Sequence, residues 1–319
     1  MGELNKQSTY TWTPDSDKMI RVSKSTLGTY SDWCPQQLWL SKVCPRVEKV
    51  EDYLIIGSNV HDRIEQFYIN CQDEWGASLA EGADIQSIEG LFFHAWLAAR
   101  DGNDKVALER LSQFMPDAEG EYKEREHDLQ QWILKHDVLR LKHCDTPEEF
   151  LPVGNELDLD AIVDVDVPGH GMVKVHLRGI IDRIFKTDDG IALLELKTGK
   201  WNTYKASQMR GEMAYYAYLL DESDSDLGPV THWGWRFPKA DHWDYDPAKK
   251  VSITAMKKRL ARLVKSYLEQ DFPVVSDKQS FKCGYCDLMS FCPKWTVYEN
   301  PIEVANGAEP IYKEGSNDT

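Results

Sequence analysis

The sequence predicts a mixed α/β fold, with a central sheet flanked by helices. Three observations carry this. The front of the chain has helical periodicity. The middle turns into Val- and Ile-rich runs punctuated by "TDDG" at 187–190. The back then alternates helix, strand and helix.

The elements follow in order. Ser23 or Ser25 is placed to cap a short helix, and Pro35, just after Cys34, suits the first turn of a second one carrying Leu38 and Leu40. In "GSNVHDRIEQFYINC" (57–71), Val60, Ile64, Phe67 and Cys71 recur on one helical face, and His61 lies off that stripe. Residues 72–149 are acidic, helical in pattern and poor in strand formers. They read as a helical insertion ending at Asp145-Thr146-Pro147. Strands are expected over 151–165 and 172–185. "IALLELKT" (191–198) is nearly continuous in apolar residues, as in a strand covered on both faces. A helix over 204–220, a strand over 230–237 and a basic helix over about 252–269 follow. The expected domain is 20–295, with 296–319 a loose tail.

Composition narrows the class. Hydrophobic residues at 42% and charged ones at 28% describe a soluble globular chain with a sizeable core. The polar start lacks an apolar signal region and no long apolar run is present, so a cytoplasmic location away from membranes is expected. Seven cysteines without a signal suit a reducing compartment and thiols kept for metal or packing. The net charge of −16 argues against non-specific nucleic-acid binding but leaves room for a local basic path.

In a strand alternate side chains share a face, so Glu195 and Lys197 point the same way. A turn centred on Asp188-Asp189 sets Asp182 opposite Glu195, and one centred on Asp189-Gly190 sets it opposite Lys197. Either register brings Asp182, Glu195 and Lys197 to one face. Two such close carboxylates repel unless a proton or cation lies between them, and hard oxygen ligands suit Mg²⁺ or Mn²⁺. A wet strand face with a Glu–Lys pair is the competing reading. The apolar setting of Glu195 speaks against it.

Asp182 followed across a hairpin by Glu195, Leu196 and Lys197 resembles the PD-(D/E)xK nuclease superfamily. "GIIDRI" with "LLELKTGK" is similar to its RecB-like branch, where G-x-x-D-R and (D/E)-x-K-T-G recur. "GSNVHDRIE" resembles that branch's first motif, a helix whose histidine, here His61, completes the metal site. The resemblance implies a restriction-endonuclease-like sheet and a metal held by His61, Asp182, Glu195 and the Leu196 carbonyl, with Lys197 catalytic. The branch's glutamine–tyrosine pair falls on Glu212 and Tyr216, a departure from glutamine at the first position.

The spacing C-x2-C-x5-C at Cys283, Cys286 and Cys292 is an incomplete metal set. A subset of the same branch, similar to the CRISPR-associated RecB-like exonucleases and the AddB nuclease domain, carries a [4Fe–4S] cluster on one N-terminal and three C-terminal cysteines. "TLGTYSDWCPQQLWL" resembles the first-cysteine segment, which makes Cys34 the implied fourth ligand and a C-terminal Fe–S clasp the implied device. Cys44 is the second candidate, and Cys71 reads as core. Zinc also takes four thiolates, but from paired C-x2-C knuckles, and here there is one pair.

Lys200, Lys205 and Arg210 after the active strand, and Lys258 and Arg262 on the basic helix, are the candidate DNA contacts. Trp201, Tyr204 and Trp295 are candidate stacking residues. The expected function is a divalent-metal-dependent DNA exonuclease acting on single strands or ends, with a helicase or recombination protein as partner. The alternative is a non-cleaving, cluster-bearing module that holds DNA ends.

Overall fold

The computed structural model describes residues 17–44, 51–80 and 90–296, with the backbone of Leu4–Asn5 and Arg46–Val47. The tail expected to be loose lies outside the described residues from 297 onward. In chain order the elements are β1 (Leu4–Asn5), β2 (Ile20–Ser23), α1 (Lys24–Gly28), α2 (Pro35–Val43), β3 (Arg46–Val47) and α3 (Asp52–Ala80). Next come α4 (Leu91–Arg100), α5 (Asp104–Ser112), α6 (Lys123–Lys142) and α7 (Pro147–Phe150). The second half holds β4 (Gly154–Val167), β5 (Gly171–Thr187), β6 (Gly190–Leu196), α8 (Lys205–Glu222), β7 (Val230–Phe237), β8 (His242–Pro247) and α9 (Lys250–Glu269).

The central sheet is mixed. It runs β2-β5-β6-β7-β8, and β4 pairs with β5. β2 with β5 and β6 with β7 are parallel, and the other pairs are antiparallel. The expected strands and helices of the second half are present, with bounds shifted by a few residues. β2 and β8 are additions. The four residues of β2 are too few to show a period. β8, "HWDYDP", follows a tight turn at Pro238–Ala240 and alternates half-buried with exposed positions.

The β5–β6 turn is the one centred on Asp188-Asp189, because Thr187 pairs with Gly190 and Arg183 with Leu194. Continuing that ladder sets Asp182 opposite Glu195. Gly190 is required there: a Cβ on it would come within 2.3 Å of the Pro229 carbonyl oxygen.

Two apolar cores lie against the sheet. One unites Val175, Leu177, Ile191, Leu193, Trp233 and Trp235 with α8 and α9. The other gathers α3 to α7 around Phe67, Phe92, Ile133 and Phe150 and reaches the sheet at Leu196. The helix of His61 does not stop at Cys71 but continues to Ala80, so no break falls at the start of the expected insertion. Its helices are also wired to the sheet. Asp137 of α6 accepts a 2.6 Å hydrogen bond from Arg236 of β7, both fully inside. β4 and β8 are the outer strands. β4 exposes Asp158, Asp160, Asp164 and Asp166 along its length, and β8 carries Asp244 and Asp246.

Candidate active site and cysteine cavity

The site forms where β5 and β6 leave their ladder. Asp182 is buried, and its Oδ2 accepts the backbone N–H of Leu196 at 2.7 Å. Glu195 is 2% exposed, and both Lys197 (2.5 Å) and Lys24 (2.6 Å) donate to its Oε1. Its Oε2 is buried with no hydrogen-bond partner. Glu212 of α8 closes the group, with Oε2 3.1 Å from Lys197 and 3.4 Å from Lys24. Tyr216, one turn on, lays its ring 4.9 Å from the Lys24 ammonium. Gly179 makes room for that ring, since a Cβ there would come within 3.0 Å of it.

His61 projects from α3 with Nδ1 3.9 Å from Asp182 Oδ2 and 3.4 Å from Glu156 Oε1. One ligand atom each from His61, Glu156 and Asp182 lie within 4.8 Å of one another. Glu156 comes from β4, directly across from Asp182 where the β4–β5 pairing skips a rung. Its φ of 46° lies in the left-handed region, unusual outside glycine.

The electrostatics divide the two carboxylates. Burial, then the Glu195 charge, pushes Asp182 up to about 6. Burial alone would raise Glu195 too, but Lys197 and Lys24 outweigh it and hold the acid at about 2. Burial would lower His61, yet the bond to Glu156 and the Asp182 charge leave it raised. His61 and Arg183 only partly offset the burial of Asp182, whereas two lysines bond Glu195 directly. This donor set fits a hard divalent cation: the carboxylates of Glu156 and Asp182 converge with the His61 imidazole, and the buried Oε2 atoms of Glu195 and Glu212 have no hydrogen-bond partner.

The structure links the expected residues through direct contacts: His61 to Asp182, Asp182 to the Leu196 N–H, Lys197 to Glu195 and Glu212, and Tyr216 to the group through Lys24. The three whose ligand atoms converge are His61, Glu156 and Asp182, with Glu195 outside that set. Lys24 and Glu156 were missed. Lys24 is 171 residues from Glu195, and its only signal was the neighbouring Ser23, whose hydroxyl accepts the Thr26 N–H as a cap. Glu156 reads in sequence as one more acid of a strand with acids at every second position.

The basic candidates are less gathered. Lys205 lies near Lys197, and its own ammonium bonds the Lys200 carbonyl. Arg210 is half-buried on α8, while Lys258 and Arg262 are exposed on α9, where Arg262 donates to the Lys258 carbonyl. Two of the aromatics are packed internally. Trp201 stacks on His242 at 3.8 Å, and Trp295 lines the cysteine cavity; Tyr204 is exposed.

Cys34, Cys283, Cys286 and Cys292 line one cavity with Leu40, Val275 and Trp295. Burial raises Cys286 to about 11, with Cys292 and Cys34 adding to the effect. Lys282 ties the two ends by donating to the carbonyls of Asp32 (2.9 Å) and Trp33 (3.2 Å). Cys44 sits instead in a small apolar cluster with Leu40 and Leu288. Cys71 and Cys144 belong to the helical core. Among the described residues no three of the four cavity sulfurs lie within 4.8 Å of one another.

The sequence profile of the PD-(D/E)XK nuclease superfamily matches residues 21–293, and the chain belongs to that superfamily. It is therefore a metal-dependent nuclease domain that binds DNA. No curated protein matches it. A solved structure described as "Crystal structure of SSO0001" shares 13% identity over 54% of this chain and 78% of its own, with a TM-score of 0.29, too loose a likeness to inform the site. Among the described residues no helix is long and apolar enough to cross a membrane.

Proposed function

We propose that this chain is a DNA exonuclease of the RecB-like branch, acting on single strands or ends, with Mg²⁺ or Mn²⁺ at His61, Asp182, Glu195 and the Leu196 carbonyl. The observation that carries this reading is the convergence of Asp182, Glu195, Lys197 and His61 at the mouth of one hairpin. A divalent ion there would polarise the scissile phosphate and lower the pKa of a water. Lys197 orients the attacking water and offsets charge developing on the phosphate. Glu212 fixes Lys197, and Tyr216 walls the site from α8. Lys200, Lys205, Arg210, Lys258 and Arg262 guide the strand. A helicase or recombination protein supplies opened ends.

Cys34, Cys283, Cys286 and Cys292 hold a [4Fe–4S] cluster as a structural clasp in this proposal. The shared cavity of the four cysteines, with one cysteine from the front of the chain and three from the back, supports this reading.

The test is anaerobic purification with an optical spectrum and iron and sulfide analysis, then cleavage of 5′- and 3′-labelled single strands with Mn²⁺. The reading expects a brown protein and stepwise shortening that Asp182→Ala abolishes. A colourless, zinc-loaded protein would overturn the cluster. DNA binding without cleavage would favour the end-holding module.

A further inference from the structure

Lys24 has no part in the proposed chemistry, yet its ammonium lies in the middle of the site. It is 2.6 Å from Glu195 Oε1 and 3.4 Å from Glu212 Oε2, under the Tyr216 ring. Asp182, Glu195 and Glu212 together carry more negative charge than Lys197 can balance, and buried like charges require a cation. We propose that Lys24 is a tethered counter-ion of the metal site: its ammonium takes the cation's place against Glu195, and an incoming divalent ion must displace it.

This rests on the metal-dependent reading above. Its own support is geometric. The Lys24 side chain is 22% exposed, so it has a route outward, and a lysine is a point charge on a flexible stem. The other end of its segment is fixed. α1 runs without a loop into a wide helical turn, Thr29–Trp33, and the Cys34 N–H closes that turn on the Thr29 carbonyl at 2.8 Å. Asp32 pairs with Arg259 of α9 at 3.3 Å, and the Tyr30 hydroxyl lies 2.9 Å from that of Ser266. The cysteine cavity thus anchors the segment whose first residue is Lys24. The side chain can move while its Cα stays, so displacement is reversible.

The test is calorimetric titration of the full chain with Mn²⁺ alone, without DNA. Lys24→Met keeps the stem and removes the charge. It should bind Mn²⁺ about tenfold more tightly than wild type, because the competing state is gone. Lys24→Arg should stay within about threefold of wild type, since it keeps the competitor. Asp32→Ala combined with Tyr30→Phe, which removes the turn's side-chain ties to Arg259, Ser266 and Arg262 of α9, should fall between wild type and Lys24→Met. Folded Lys24→Met with equal or weaker Mn²⁺ affinity overturns the proposal while leaving the nuclease reading intact. That double variant identical to wild type overturns the tether. If neither wild type nor Lys24→Met binds Mn²⁺, the metal assignment itself falls and this inference with it.

Discussion

Asp182 Oδ2 accepts the backbone N–H of Leu196 at 2.7 Å, so the acid that faces Glu195 also fixes the end of the strand that carries it. An asparagine can keep that hydrogen bond through its side-chain oxygen while losing the charge. The consequences of removing each carboxylate therefore separate charge from architecture.

Asp182→Asn should abolish cleavage yet stabilise the metal-free protein. Asp182 has a folded-state value of about 6, above its unfolded value, so wild-type stability is full below the unfolded value and is lost as pH rises through about 6. The variant should match wild type near pH 4 and exceed it at pH 8 by on the order of 1–3 kcal/mol. Urea melts at the two pH values in EDTA check this.

Glu195→Gln should do the opposite. The carboxylate is held at about 2, so its stabilising effect is present above the unfolded value and fades as pH falls toward 2. The amide leaves Lys24 and Lys197 with Glu212 as their remaining close anion. Lower metal-free stability at pH 7 is expected, by on the order of 1–3 kcal/mol, with the gap closing in acid. The same melts read it out.

Asp137→Asn should be among the most damaging substitutions outside the site. It leaves Arg236 buried against a neutral partner and should cost about 3–5 kcal/mol. Thermal unfolding of this variant also tests whether α6 belongs to the same cooperative unit as the sheet.

Gly179→Ala should push the Tyr216 ring and Leu219 away by a few tenths of an ångström, costing about 1–3 kcal/mol. Melting temperature reads the cost, and tyrosine fluorescence reports the ring's displacement.

Cys34→Ser and Cys283→Ser should each lose bound iron and melt lower, while Cys71→Ala should keep iron at wild-type levels. Iron analysis of the three proteins decides whether the cavity sulfurs are the ligands.

The sequence exposed the parts of the site that are local. Asp182, Glu195 and Lys197 sit on one hairpin, so strand parity and turn chemistry bring them together, although only the ladder itself chose between the two turns. His61 was singled out by the resemblance of "GSNVHDRIE" to the branch's first motif, and its place off the apolar stripe agreed with that. Lys24 and Glu156 were not, for different reasons. Lys24 reaches the site through β2, a four-residue parallel strand whose pairing with β5 is set by tertiary packing. Glu156 depends on a left-handed backbone angle that its residue type does not announce. Trp201 looked free for stacking because β8, which brings His242 against it, left no clear pattern. The acidic composition of 72–149 gave no hint of the buried contacts, that of Asp137 with Arg236 above all, that bind this helical segment to β7.

The outer strands give the negative charge another meaning. β4 and β8, like the short β2, each pair with a single strand, and unpaired strand edges are templates for pairing with a second molecule. Both carry aspartates at alternating positions. Two copies approaching edge to edge would bring like charges together, which opposes such pairing even though Asp158, Asp160 and Asp164 are partly offset by Arg178, His176 and Lys174 of β5. Part of the −16 thus lies along strand edges, where it opposes pairing with a second sheet.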